Sequence, residues 1–404
     1  MATPVSELDL PTLDFDPFSR EDERREIIAM AQRQSWLAKT ELGTMVTRYD
    51  DVTSILRDRR WHSALALIAQ MQQFDNSEWT ERNSNRKSIL STEGPDHTRL
   101  RRIVSPAFTP RSADRLRPFM RSVMEDLIDP FIGNGHCEFV AEVCEPYPIP
   151  IICELLGAPP ENWEMFSRLA VDIFKLFNGN LAEDAPAIMA AQDEMNEYMA
   201  QLIVERRAAP QEDLLTDLIA AEDEGDRLDN IELQSMAQAV LLAGTDTTRN
   251  QLACAMALFA QHPEQWELLR NQPELAPRAV EEVMRYLGAV RGTVRFASED
   301  IEYNGVLFPQ GSLIATSFLG ANFDDTQYTE AGAFDISRKA DSPHMTFGSG
   351  IHFCLGAALA RAELQEALLV LSKRMPEVRL NGEIEWKPIN VGIWGPEVLP
   401  LAWS

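Results

Sequence analysis

Cysteine is scarce in this chain. Its 404 residues hold five (Cys137, Cys144, Cys153, Cys254 and Cys354), spaced neither as a disulfide framework nor as a zinc site. A reducing cytoplasm is the simplest home for such a set. Positive charge is also sparse: 37 Lys and Arg stand against 63 Asp and Glu, a formal net charge of −26. Nucleic acid and anionic membranes would be repelled, so neither is an expected partner. No apolar run approaches the ~18–20 residues of a membrane span. The first 25 residues, rich in Asp, Glu and Pro, show no basic-then-apolar leader. Repeats and low-complexity tracts are missing as well. The expectation is a soluble globular protein.

The few basic residues are not spread evenly. Arg99, Arg101, Arg102, Arg111, Arg115 and Arg117 crowd together in an otherwise acidic chain. This is either an exposed helix face or a docking site for an acidic electron carrier.

Helical periodicity dominates. Apolar residues recur at three- and four-residue steps through 113–131, 161–177, 187–206, 231–261, 263–270, 276–287 and 357–374. Strand signals are short and late. Asn304-Gly305 between two apolar triplets predicts a hairpin, Ser312 to Phe318 a further strand, and Ile384 to Trp403 strands broken by proline. The expected fold is mainly α with a small β portion, one domain over 1–404. Segments 61–93 and 178–186 read as irregular loops, where binding residues tend to sit.

The most specific feature is the run Phe347-Gly348-Ser349-Gly350-Ile351-His352-Phe353-Cys354-Leu355-Gly356, which feeds into the helical pattern Ala357-Ala358-Leu359-Ala360-Arg361. Glycines let the backbone adopt left-handed conformations and approach closely. The following helix start offers free N–H groups and a positive dipole end, which favour a thiolate. A bare backbone at Gly356 lets amides orient the sulfur. A lone cysteine in such a turn is usually structural; three glycines, a histidine and a cysteine at fixed offsets reverse that expectation.

Phe347, Gly348, Gly350, His352, Cys354 and Gly356 resemble the haem-binding loop of the cytochrome P-450 superfamily of haem-thiolate monooxygenases. The resemblance spans residues 94–404, with four motifs in order. It implies the family fold, a helix-rich body around a buried haem b (iron protoporphyrin IX), with Cys354 as the proximal iron ligand whose electron donation favours O–O cleavage.

The other motifs take their meaning beside that loop. Ala243-Gly244-Thr245-Asp246-Thr247-Thr248 lies mid-helix, where glycine costs ~1 kcal/mol against alanine, so a local opening or π-bulge is expected. Alone, Thr247 bonds back to the Ala243 carbonyl and Asp246 faces solvent. The resemblance implies instead an acid–alcohol pair across the haem from the thiolate. In that role Thr247 holds dioxygen and an ordered water, Asp246 relays protons, and the small Ala243 and Gly244 leave room.

Glu282 and Arg285 share a helix face at i,i+3. With Arg338 they match the family's structural Glu-x-x-Arg set, which supports the thiolate loop. His97, Arg101, Arg295 and His352 match its clamp on the haem propionates, and the 61–93 and 178–186 segments match its mobile lids. Expected pocket residues are Ala239, Leu242, Ala243, Thr247, Val290 and Thr293, with Phe174, Phe177, Ile393 and Trp394 from the lid and last hairpin.

The family pattern is broken at Phe323 (often arginine), Asp325 (often proline) and Ala289 (often proline). Arg291 reads as a surface ion pair or as an anchor for a substrate carbonyl or carboxylate. The implied activity is hydroxylation of a hydrophobic molecule, terpenoid, steroid or polyketide-like, by dioxygen. The chain shows no flavin or iron–sulfur segment, so two electrons would come from a ferredoxin and its reductase. A peroxide-driven enzyme and a non-catalytic haem carrier are the rivals; the intact acid–alcohol pair disfavours both.

Overall fold

The computed structural model describes residues 2–16, 19–40, 43–84, 88–177, 179–223, 228–339, 342–388 and 393–404. Seven helices position the site: α1 (Glu21–Gln34), α2 (Gly94–Val104), α3 (Pro110–Ile132), α4 (Pro148–Leu156), α5 (Asn230–Gln261), α6 (Ala276–Tyr286) and α7 (Ala357–Arg374). Further helices at Trp163–Phe174, Leu181–Ala208 and Pro263–Asn271 pack around them. A five-stranded sheet lies to one side, formed by β1 (Leu37–Thr40), β2 (Gly43–Val46), β3 (Trp61–Ser63), β4 (Gly292–Ala297) and β5 (Leu313–Ser317) in the order β1-β2-β5-β4-β3.

The central helix α5 starts at a capping box. Asp229 Oδ1 accepts from Glu232 N at 2.8 Å, and Asp229 N donates to the Glu232 carboxylate at 3.1 Å. It ends where Pro263 opens the next helix. Twenty-one of its residues are buried, so it is the axis of the main hydrophobic cluster. Three of its polar side chains bond within the helix itself. Thr245 Oγ1 donates to Leu242 O, Thr247 Oγ1 to Ala243 O and Asn250 Nδ2 to Asp246 O, at 2.7–2.8 Å. These bonds keep the helix closed, and the expected π-bulge is absent from it; a π-turn instead lies at Val140–Cys144.

The Asn304-Gly305 turn joins Ile301–Tyr303 to Val306–Phe308, with φ of 49° and 76° at its two residues. Both segments expected to be irregular are partly ordered. The first holds β3 and short helices at Ile68–Met71 and Ser77–Ser84, with residues 85–87 outside the described ones. In the second, Leu181 already begins a long helix that carries Pro186 in its first turns; residue 178 lies outside the described ones. Pro186 is the sixth residue of that helix, past its first turn, so one i→i−4 hydrogen bond is forgone there. The two segments meet in a satellite cluster of Trp79, Leu181, Ala185 and Ile188.

Candidate active site

The cysteine loop is held by its own backbone. Cys354 N donates to Phe347 O at 2.9 Å and Gly348 N to Met345 O at 2.7 Å. Gly348 and Gly350 take φ of 69° and 72°, and a Cβ at Gly350 would overlap the Leu56 carbonyl. Gly356 differs, because its φ is −81° and a Cβ there would meet no protein atom within 4 Å. Neither strain nor packing within the chain calls for glycine at 356. Cys354 itself is half-buried, at the edge of the core that α5 runs through. Burial pushes its thiol up, while a backbone bond from Gly356 and the charges of Arg101 and Arg361 pull the other way. Phe347 is buried beneath it with the Arg361 guanidinium 4.6 Å from its ring centroid.

Four expected cationic or imidazole residues form one connected patch, joined by a carboxylate that sequence reasoning missed. Arg101 donates to Ile351 O (2.9 Å) and Phe353 O (2.6 Å), tying α2 to the cysteine loop. The His97 and His352 rings lie 4.5 Å apart. Glu93 Oε1 pairs with His352 Nε2 at 2.9 Å and accepts from Ser63 N at 2.6 Å. Ser63 is in register with Arg295 across β3 and β4. Arg295 is buried yet donates to neutral oxygens, Thr293 Oγ1 and Val294 O. His97 is 2% exposed with no hydrogen-bond partner for Nε2, and burial, then the charges of His352 and Arg101, push it down to about 4. Glu93 carried no sequence signal beyond its place at the end of an apparent loop.

Across the core, α5 is buried almost throughout, yet Ala243 is exposed and Ala239, Leu242 and Thr247 are half-buried. These sit at i, i+3, i+4 and i+8, one stripe facing open space. Gly244 does not share that role. A Cβ there would come 2.8 Å from Ile152 of α4, so the glycine serves helix packing rather than oxygen access.

Asp246 faces neither solvent nor the stripe. It is buried and ion-paired with Arg249, whose other nitrogen stands 3.4 Å from the partly exposed Glu145. A small cavity beside them is lined by Ile149, Ser167, Ala170 and Thr245. A second acid, also missed, is Glu363 of α7. It bonds Thr248 and is wholly buried, which pushes its carboxyl well above the usual carboxylate range.

Against the 331–338 segment the Glu282–Arg285 pair is 2% exposed on each side and bidentate, at 2.8 Å for both contacts. Arg338 joins Glu282 at 3.1 Å, and Asp335 N donates to the same carboxylate at 3.1 Å. Arg285 spends its other protons on Asn322 O, Ala331 O and Ala333 O. This is a fully satisfied buried network.

Two of the three departures from the family pattern, Phe323 and Ala289, have local explanations. Phe323 takes the Arg25 guanidinium of α1 at 4.0 Å from its ring, and Arg25 also donates to Tyr286 O at 2.7 Å, so a cation reaches this place from another element. Ala289 N donates to Gln251 Oε1 at 2.9 Å, a bond that proline could not make. Arg291 is no surface pair: it binds Glu21 and stacks 4.4 Å from the Trp394 ring centroid, in half-buried surroundings.

Among the expected pocket residues, Val290 and Thr293 are half-buried, and Val290 bridges to Ile393. Phe174 and Phe177 stand 5.8 Å apart. Trp394 lies behind Ile393, its ring stacked on Trp386 at 4.6 Å and its Nε1 bonded to Lys387 O.

Half of the arginine cluster is spent inside the molecule. Arg99 makes a bidentate pair with buried Glu232, and Arg117 binds Asp114, Gln365 and Glu366. Arg102, Arg111 and Arg115 are exposed.

The family model for cytochrome P-450 matches residues 154–373. Luteothin monooxygenase of Streptomyces thioluteus is 38% identical over 99% of this chain and 97% of its own length. Mycinamicin IV hydroxylase/epoxidase of Micromonospora griseorubida is 35% identical, covering 90% of each. The crystal structure of epothilone D-bound cytochrome P450epoK superposes with a TM-score of 0.89 at 29% identity, over 97% of this chain and 100% of that one. The chain therefore belongs to the cytochrome P-450 superfamily, and its activity is that of a haem-thiolate monooxygenase.

Proposed function

We propose that this enzyme binds haem b through Cys354 and hydroxylates a hydrophobic molecule of polyketide type, using electrons delivered by a ferredoxin. The observation that carries the reading is the pairing of two features along one core: a half-buried cysteine in a glycine loop, and an accessible stripe on an otherwise buried helix. A relative whose name carries the polyketide class, polyketide biosynthesis cytochrome P450 PksS of Bacillus subtilis, is 34% identical over 89% of this chain and supports that class over terpenoids and steroids.

The residues fit haem. Its two propionates would give charged partners to the orphaned His97 Nε2 and to Arg295, which now bonds only neutral oxygens. Arg101 and His352 would complete that clamp, and the bare side of Gly356 would accept the flat ring. Bound there, the haem supplies activation of dioxygen and transfer of one oxygen atom to the substrate.

The chain's own work is proton handling and positioning. Thr247 leaves the Ala243 carbonyl to hold a water and pass on its proton. Asp246 resupplies that proton, drawing on solvent through the Arg249 and Glu145 side. Glu363, its carboxyl pushed up by burial, bonds Thr248, the residue after Thr247, and serves as a proton store. Ala239, Leu242, Ala243, Val290, Thr293, Ile393, Phe174 and Phe177 shape the pocket, with Trp394 supporting Ile393. The network of Glu282, Arg285 and Arg338 keeps the cysteine loop rigid. Exposed Arg102, Arg111 and Arg115 present positive charge to an acidic ferredoxin.

The test is turnover of macrolide and linear polyketide candidates with a surrogate ferredoxin, its reductase and NADPH. A product heavier by one oxygen, absent when peroxide replaces the electron chain, is expected. Product formed with peroxide alone, and none with the ferredoxin, would overturn the reading.

A further inference from the structure

The last hairpin, in which Glu385–Trp386 pairs with Pro396–Val398, lies against the central helix α5. Asn250 and Cys254 stand one turn apart on α5, and both meet the hairpin. Lys387 Nζ donates to Asn250 Oδ1 at 2.9 Å, and Cys254 Sγ lies 3.9 Å from Trp394 O. Asp246 is one turn earlier on the same stripe. Its main-chain oxygen accepts from Asn250 Nδ2 at 2.7 Å. A continuous chain of bonds thus runs from the hairpin ammonium to the turn of α5 that carries the acid.

The hairpin is shaped for this approach. Gly395 takes no left-handed φ, yet a Cβ there would come 2.9 Å from Asn250 Oδ1 and 3.2 Å from Asn250 O. Glycine at 395 is a matter of space. Lys387 is held by both of its main-chain groups, since its N donates to Gly395 O at 3.1 Å and its O accepts from Trp394 Nε1 at 2.8 Å. Asn250 is 1% exposed, so its amide is fixed between hairpin and helix. A neutral donor would serve Asn250 at lower cost than a half-buried ammonium. Burial pushes Lys387 down; the charge of Asp246 opposes this most, Glu397 and Cys254 also oppose it, and Arg249 acts with burial. The acid that faces Arg249 of its own helix is therefore also the foremost counter-charge of the hairpin lysine. Resting on the proton relay proposed above, we infer that Lys387 is a positioning residue for Asp246: through Asn250 it latches the Asp246–Asn250 turn of α5 and so aims the acid.

The test mixes photoreduced holoenzyme with oxygen and reduced surrogate ferredoxin, no substrate being added. The return of the ferric spectrum is followed in water and in deuterium oxide. Lys387→Met should slow that return about fivefold, the scale of one lost hydrogen bond, and raise its solvent isotope effect. Hydrogen exchange of segment 243–254 should quicken by a similar factor, about fivefold. Lys387→Arg, which keeps a donor and the charge, should stay within about twofold of wild type. In an Asp246→Asn background, Lys387→Met should change the rate by less than about twofold, because the two residues act as one unit. A purely structural lysine would speed exchange without moving the isotope effect, and that result overturns the inference. So do equal losses in both backgrounds, or wild-type rate, isotope effect and exchange in Lys387→Met. A slow Asp246→Asn beside an unaffected Lys387→Met sinks the latch alone. Full speed with an ordinary isotope effect in Asp246→Asn takes down the relay itself, and the latch with it.

Discussion

The Thr247 hydroxyl donates to the carbonyl of Ala243 at 2.8 Å, within the accessible stripe of α5. Its resting bond is therefore inside the helix, and it must be given up for the hydroxyl to serve the reaction. Thr247→Ala removes the hydroxyl without disturbing the backbone ladder. Product formed per NADPH consumed should fall about tenfold, with peroxide rising in compensation. Thr247→Ser should keep most of the coupling. Unchanged coupling in Thr247→Ala would take the proton relay away from this residue.

Asp246 is buried against Arg249, which links it to Glu145 at the solvent side. Asp246→Asn keeps the shape and removes the carboxylate that takes up and hands on a proton. Turnover should fall about a hundredfold, within the range for a lost proton-transfer group. The solvent deuterium isotope effect should rise at the same time, and full activity with an ordinary isotope effect would refute the assignment. The buried Arg249 also loses its partner, so a lower melting temperature is expected.

Glu282 holds both Arg285 and Arg338 in buried surroundings. Glu282→Gln leaves two guanidinium groups without a counter-charge and should destabilise the protein by about 3–5 kcal/mol. Denaturant unfolding measures this, and a loss below about 1 kcal/mol would show that the network is dispensable.

Acid should weaken the clamp through Glu93. Burial pushes this carboxyl up, but its bonds to His352 and Ser63 N outweigh that and hold it below its ordinary value of 4.5. A group depressed in the folded state adds stability above its unfolded pKa and loses it as pH falls through the folded one. Stability should thus be flat above about pH 5 and decline below it, and Glu93→Gln should remove part of that decline. An identical acid limb in the variant would show that Glu93 contributes nothing.

The helical half of the chain is legible where apolar residues recur at three- and four-residue steps along the sequence. The readings 231–261 and 357–374 meet helices at 230–261 and 357–374. Helix α4 is hidden for the opposite reason: Pro148–Leu156 opens with two prolines and buries all but three residues, so no polar face marks a period. Helix α1 is obscured by its charge, since arginines such as Arg24 are buried where pattern reading expects exposure. At the site, the spacing around Cys354 is readable because glycine geometry constrains the local chain. Glu93 and Glu363 are not, since their significance comes from partners 259 residues away at His352 and across the core at Thr248. The direction of Asp246 toward Arg249 was equally hidden, because sequence adjacency to Thr247 says nothing about which helix face the acid takes.

The most direct test of the account is the absorption spectrum of the reduced protein under carbon monoxide, for wild type and for Cys354→Ala. Wild type should give the red-shifted Soret band of a thiolate-ligated haem, and Cys354→Ala should lose it entirely. The same band in Cys354→Ala would place the thiolate on another cysteine and contradict the site described above.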